Sequence, residues 1–485
     1  MIRQTLMASA AVALVCAGTV HAQEVSVSEA ANIQKRLTHY LPKDLVDAGM
    51  VTVRAATSFY ELRFDPAPLL AKAKSGAVKI EGLKPMTSYL RPMPEGTYRI
   101  ESNDSLDIKG TLDTPADKAT SFSYVIDSIK LDGIYDPEIL YFTSADWSAS
   151  KIAFSSVTPR ESISASFGQS VMSIAAEKKG ADTLDISTTG VMQAFAETIT
   201  SKDSGKVDIS ADKVDIDVSM DGARYKTLQD LVFLILDNID KPLLDPPEIA
   251  RLKQLLRNSL PVFDNLKETI RASNVTIGTD KGTFGADGLV YNIDMNGVAH
   301  STRVGFGIDI DKPRLPAGVV PAAFESAVPE HATFKMAVAN LDLAGAVTYM
   351  LDHGDFSKKE PLTEEQSAEL GRIVLPGGMM TFELEDVSAV SPIYDVRLTG
   401  TMQVHIEDKD RRRADLTLTM RKFDETVAYL QKNATVVPEF GQASFGLLMM
   451  KGLARDAGDG AQAWDVTVGE DGKVLINGRP LPFQP

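Results

Sequence analysis

The sequence predicts an α+β protein, predominantly β, with long antiparallel strands in a curved or elongated sheet and helices covering part of one face. Three observations carry that expectation. From Tyr394 to Ile406 every even position is apolar or Gly, and the odd positions from Asp395 to His405 are polar. That period of two marks a strand with one buried and one wet face. After a charged turn at Asp408 to Arg413, a second run sets Leu416, Leu418 and Met420 against Asp415, Thr417, Thr419 and Arg421, which completes a hairpin. Lastly, strongly apolar segments with helical spacing, such as Leu228 to Ile239, interrupt the alternating runs.

Composition sets the outer bounds. The chain has 485 residues, 44% of them hydrophobic, enough for a substantial core. A formal charge of −16 excludes a broad basic surface for nucleic acid and disfavours docking on anionic lipid. Residues 1–22 read as a secretory leader: Arg3, then an apolar core from Leu6 to Ala17, then Val20-His21-Ala22 before a mature start at Gln23. Leu14 and Val15 are too bulky before Cys16 for a lipoprotein signal. Removing the leader with its Arg3 takes the formal charge from −16 to −17 and deletes the single cysteine. The expected exported chain therefore relies on packing and sheet hydrogen bonds rather than disulfides. No later apolar run reaches the roughly 18 residues of a spanning helix. The expected compartment is the periplasm.

Taken in order, the chain divides into a leader (1–22), an N-terminal β-rich part (23–222), a helical pair (223–273) and a C-terminal β-rich part with strand–helix repeats (274–485). Ser26 to Tyr40 predicts an amphipathic helix with Ile33, Leu37 and Tyr40 on one face. Met50 to Phe64 is strand-like, and Asp65-Pro66 offers a cap and first-turn proline for a brief helix from Leu69 to Lys74. Short strands are expected at 78–80, 98–101 and 106–112, with longer ones at 122–131, 147–157, 162–175, 184–188 and 207–220. Leu228 to Ile239 and Glu248 to Ser273 are read as helices, broken at Pro242, Pro246-Pro247 and Pro261. Strands resume at 275–278, 289–299 and 304–310, where Tyr291, Ile293 and Met295 alternate with Asn292, Asp294 and Asn296. A strand at 334–339 leads through Asn340-Leu341-Asp342 into a helix, much as Met420 to Asp424 leads into another, a weak internal repeat. Thr363 to Ile373 and Phe440 to Arg455 are further helices. Trp464 to Val468 and Val474 to Ile476 close the chain around an Asn477-Gly478 turn.

The search for chemistry is negative. None of the histidines after the leader belongs to a metal motif, and Asp352-His353-Gly354-Asp355 reads as a helix stop rather than a ligand set. Pro376-Gly377-Gly378 lacks the Lys-Ser/Thr of a phosphate loop, and no G-x-S-x-G elbow occurs. The pairs Asp215/Asp217 and Asp309/Asp311 follow from strand alternation, and Arg411-Arg412-Arg413 from a solvated turn. No catalytic residue, metal or cofactor is expected.

The leader, the alternating hairpins, the strand–Asp–helix pieces and the terminal Trp464-Asp-Val-Thr-Val-Gly-Glu-Asp-Gly-Lys-Val-Leu-Ile-Asn-Gly478 together resemble uncharacterised bacterial periplasmic families of unknown function, loosely similar to AsmA-like envelope proteins. That resemblance implies a periplasmic β-rich fold with an apolar groove that holds lipid, and it transfers no catalytic residue. AsmA-like proteins usually carry a membrane anchor, whereas this leader reads as cleavable. The expected function is non-enzymatic: binding of a lipid or other apolar ligand, or of an envelope protein partner. The expected apolar face comprises Val396, Leu398, Met402, Val404, Leu418, Met420, Tyr291 and Ile293. Its basis is length, since Tyr394 to Ile406 extends about 40 Å at roughly 3.3 Å per residue. Three alternatives stay open: an envelope scaffold or protein-interaction module, an outer-membrane barrel, and a hydrolase with a site assembled from distant residues.

Overall fold

A computed structural model describes residues 24–39, 41–71, 78–112, 120–203, 205–238, 241, 243–358, 360–408, 411–470 and 472–480. The leader, the expected start at Gln23, Tyr40, residues 72–74 of the brief expected helix, Ile239, Pro242 and the tip of the charged turn lie outside the described residues. The chain forms two compact units, Met1–Pro242 with Thr276–Asp280, and Leu243–Val275 with Lys281–Pro485. Both are predominantly β and antiparallel.

The first unit opens with helix α1 (Val27–Thr38), where the Ser26 hydroxyl caps the Glu29 N–H at 3.1 Å. Helices α2 (Lys43–Asp47) and α3 (Ala67–Ala71) are single turns. Strands β1 (Val51–Ala55), β2 (Tyr60–Phe64), β3 (Val78–Glu81) and β4 (Met86–Pro92) are short. They are followed by β5 (Tyr98–Leu112), β6 (Thr120–Asp136), β7 (Tyr141–Val157), β8 (Glu161–Lys178), β9 (Leu184–Ser201) and β10 (Gly205–Ala223), each of 15 to 19 residues. The order is β1-β2-β4-β5-β6-β7-β8-β9-β10, with β3 on the far part of β5. Ile33 and Leu37 of α1 are buried against Tyr60, Leu90, Tyr98, Ile100 and Tyr135. The Gln34 side chain accepts the Val53 N–H at 2.9 Å, occupying a donor on strand β1. Helix α4 (Tyr225–Asp237) follows β10.

These strands outrun the sequence expectation. Residues 98–101 and 106–112 belong to one strand, and 184–188 continues to Ser201. In β5 the inward positions keep one parity, from Tyr98 and Ile100 to Leu106 and Ile108, and the polar Ser102 and Asp104 between them hide the continuity; in the later strands the apolar phase jumps. In β6, Tyr124 and Ile126 give way to Ile129 and Leu131. In β9, Ile186 and Met192 give way to Phe195 and Ile199. In β10, Ile209 and Ala211 give way to Val214 and Ile216. The jumps align across the sheet at Asp127, Lys151, Gly168, Ala194 and Asp212, between pairs such as Ile126↔Ile152 and Ser128↔Ser150, or Phe195↔Ala211 and Gln193↔Lys213. Asp127 and Ser128 of β6 share one position of β5, so Ile126 and Ile129 face the same side of the sheet.

The second unit begins with α5 (Pro246–Asn258), whose Asp245 and Glu248 form a capping box. The helix expected to run to Ser273 ends at Asn258. After Pro261, residues Asn265–Thr279 form strand β11. Leu266, Ile270 and Ala272 alternate, then the phase jumps at Asn274, which has φ 50°, to Val275 and Ile277. The end of β11 belongs to the first unit, where Thr276 and Ser210 hydroxyls lie 2.6 Å apart. Then come β12 (Gly282–Met295), β13 (Thr302–Arg314), β14 (His331–Leu341), α6 (Leu343–His353), α7 (Glu364–Val374), β15 (Met379–Val390), β16 (Asp395–His405), β17 (Arg412–Arg421), α8 (Phe423–Asn433) and α9 (Glu439–Lys451). Strands β18 (Arg455–Asp456), β19 (Gln462–Val468), β20 (Val474–Ile476) and β21 (Arg479–Pro480) end the described chain. The order is β12-β13-β14-β15-β16-β17-β19-β20-β21, with β18 also on β19. Strand β15 has no counterpart in the sequence expectation: its phase jumps from Leu384 to Val387 across a bulge. The suspected repeat has a structural parallel. β14 and β17 each end beside a left-handed residue, Asn340 at φ 61° and Lys422 at φ 54°, and each leads into an 11-residue helix.

Candidate apolar sites

Antiparallel partners project from the same face of a sheet, so the pairing traces which side chains share a surface. In the second unit one row runs Tyr291–Ile308–Phe334–Val387–Leu398–Leu418–Trp464. The next runs Ile293–Phe306–Met336–Leu384–Gly400–Leu416–Val466. Val396 pairs with Met420, Met402 with Ala414 and Val404 with Arg412. All eight residues expected on an apolar face therefore lie on one face of this unit. Tyr291 and Phe306 meet edge to face at 5.3 Å. Gly400 fits the stripe because β17 passes so close that a Cβ would strike the Asp415 carbonyl, and its φ of 134° suits glycine.

Burial along this face is uneven. At the β17 end, Phe423, Val427, Leu447 and Met450 of α8 and α9 share a packed cluster with Val396, Leu418, Met420 and Trp464. Met420 retains 5% exposure there. The Trp464 indole donates to the Met450 carbonyl at 2.8 Å. The Tyr394 hydroxyl donates to the Ala327 carbonyl at 2.8 Å, and burial holds its phenol above the usual range. Away from that cluster, Leu398, Met402 and Val404 on β16 and Tyr291 and Ile293 on β12 are half-buried. Leu289 on β12 keeps 36% and Phe334 on β14 41% exposure.

The opposite face carries charges that are paired. Arg303 meets Asp294, Glu383 and Glu385, with its Nε 2.9 Å from Glu383. Asp309 pairs with Lys335 at 3.1 Å and accepts the Thr333 hydroxyl at 2.8 Å. In the first unit Asp215 pairs with Lys213 at 2.6 Å. The Asp352–Asp355 segment closes α6: His353 stacks on Tyr349 at 4.2 Å, Asp352 pairs with Arg257, and the Gly354 N–H donates to the Met350 carbonyl. Among the described residues, no three His, Cys, Asp or Glu side chains form a group suited to a metal ion. No described helix is long and apolar enough to cross a membrane.

A second apolar feature escaped the sequence reading. In the first unit a cleft of about 260 Å³ opens between α4 and the sheet. Ile139, Leu140, Tyr141, Leu184, Ile186, Met220 and Ala223 form one side; Tyr225, Leu228, Gln229, Val232 and Phe233 form the other. Among the described residues, no Asp, Glu, Lys, Arg or His lines it. The Gln229 amide donates to the Ile139 carbonyl, and the Tyr225 hydroxyl to that of Ala181 at 3.3 Å. Burial raises the Tyr141 phenol above its ordinary value. The apolar run of α4 was visible in the sequence, but Ile139 in the turn that meets it is 90 residues away along the chain from Gln229.

No protein-family model, curated protein or solved structure matches this chain.

Proposed function

We propose that this is an exported, periplasmic, non-enzymatic protein that binds a lipid or another apolar ligand along the apolar face of its second unit. The supporting observation is the uneven burial of two continuous apolar rows. Helices α8 and α9 act as a partial cover at Val396, Leu418 and Met420, while Leu289 and Phe334 remain open to a ligand. Apolar surface contiguous over several strands is a usual mark of a binding surface. Each methylene that moves from water onto it contributes roughly 0.8 kcal/mol before ordering terms. Kinship with AsmA-like envelope proteins belongs to the same proposal and draws on the sequence pattern alone.

Solvent extraction and native mass spectrometry of the gently purified full chain test this reading. Bound lipid is expected, and Phe334→Asp, at an exposed position, should reduce it without unfolding the protein. Val404→Asp with Leu418→Asp, in a variant that remains folded by circular dichroism, should reduce it further. Ligand-free protein that takes up neither fatty acid nor phospholipid would leave the interaction-module reading in its place. That second reading has its own support in α9, where Phe445, Leu448 and Met449 are 66%, 44% and 53% exposed.

A further inference from the structure

The cleft beneath α4 belongs to the first unit and shares no residue with the face just described. Its volume of about 260 Å³ exceeds the roughly 150 Å³ that suffices, in an apolar cavity, to stay dry and hold benzene. Its described lining offers no charged side chain, and the Gln229 amide is already bonded to the Ile139 carbonyl. An occupant must therefore be apolar where it enters. The cleft also has a continuation. Met220 at its floor is followed on the same face of β10 by Val218, Ile216 and Val214. Ile186, paired with Met220, and Met172, two strands from Ile216, widen this strip. From Met220 to Val214 the strip runs about 20 Å at roughly 3.3 Å per residue. One acyl chain of a membrane lipid reaches about half of a ~30 Å hydrocarbon core. Length and absence of charge both fit one such chain, and a folded peptide segment would bring backbone polar groups that the lining cannot satisfy.

We propose that the α4 cleft is a second binding site, which takes the methyl end of a single acyl chain and lays the rest along Val218, Ile216 and Val214. The head group stays in solvent, so a fatty acid and a phospholipid present the same chemistry to the site. Val232, 47% exposed on the α4 wall, is the position where a change reaches the cleft without entering the core.

The test is photo-crosslinking of the full chain, followed by peptide mapping. One arm uses palmitate with a diazirine near its methyl end; the other uses phosphatidylcholine vesicles with the same group on one chain. Adducts are expected within residues 214–233, from palmitate alone if the source is a free fatty acid and from both probes if it is a phospholipid. Val232→Asp should lower that adduct yield about tenfold or more, since a carboxylate would face the chain. Val232→Trp, which fills the cleft without adding charge, should do the same. Ile235→Asp, on the same helix but outside the lining and 59% exposed, should leave it unchanged. Adducts confined to the apolar face of the second unit would overturn this site and leave the proposed function standing. Unchanged labelling in both Val232 variants would also overturn it. Absence of adducts from both units would overturn both proposals.

Discussion

Lys151 and Ala194 sit inside strands with φ of 49° and 54°, a region that costs an L-residue roughly 1–2 kcal/mol. Both belong to the line of phase jumps, so the strain is the local cost of keeping one face apolar through the jump. Replacing Ala194 with Gly removes the Cβ penalty but adds chain entropy to the unfolded state. A net gain of up to about 1 kcal/mol is expected, read from the urea midpoint. Gly400→Ala, by contrast, should lose about 2 kcal/mol or more, because its Cβ meets the β17 backbone. The pH response is also set residue by residue. Arg99 grips Asp132 through two hydrogen bonds of 2.9 and 2.6 Å and lowers its pKa. Arg455 and then Thr417 do the same for Asp465. The Ser357 hydroxyl and Lys358 bring Asp355 down to about 2. A carboxyl depressed by folding contributes stability above its unfolded value, and that contribution disappears as pH falls through the folded value. Asp104 works in the opposite sense: burial raises its pKa, so its contribution is fullest at low pH and fades as pH rises through the folded value. The three depressed groups outnumber it, so the melting temperature should drop between about pH 4 and about pH 2. A flat profile there would show that these pairs do not hold in solution.

At the scale of elements, β16 is the clean case: its pleat is unbroken, and its alternation identifies the apolar face correctly. That face can be checked with neighbouring substitutions. Met402→Asp places a carboxylate among Phe382 and Ala414 and should destabilise by several kcal/mol. Gln403→Asp, on the opposite face beside Thr381, should cost about 0.5 kcal/mol. Equal losses of melting temperature would mean that β16 is turned over. What the sequence conceals is physical in origin. An extra residue in a strand, whether as a bulge or matched at the same level by its neighbours, restarts the apolar period on the other parity, so a long strand reads as shorter than it is. This concealed the length of β9 and the presence of β15. It also let Phe263 and Leu266 pass as helix positions after Pro261, although Thr269, Ile270, Val275, Thr276 and Ile277 make 269–277 rich in β-branched side chains. The eight residues of the expected apolar face were legible because they sit on strands whose phase does not jump within the runs that were read. The α4 cleft was not, because its two walls meet only through long-range packing.

For the whole molecule, the two tryptophans separate the two units: Trp147 lies in β7 of the first and Trp464 in β19 of the second. Their surroundings differ as well. Trp464 is 2% exposed within the cluster of α8 and α9, whereas Trp147 is half-buried on the strip that continues the α4 cleft, paired with Leu131 and Met172. Single-tryptophan variants, Trp147→Phe and Trp464→Phe, thus give one emission signal per unit. A ligand that binds only the native state stabilises it by about 2.7 kcal/mol at one hundred times its dissociation constant. If an acyl chain occupies both the α4 cleft and the apolar face, palmitate should shift the unfolding midpoint reported by either tryptophan. Val232→Asp should abolish the shift seen by Trp147 and preserve the one seen by Trp464. Phe334→Asp should do the converse. Loss of both shifts in either variant would mean that one shared site, rather than two, accounts for the binding.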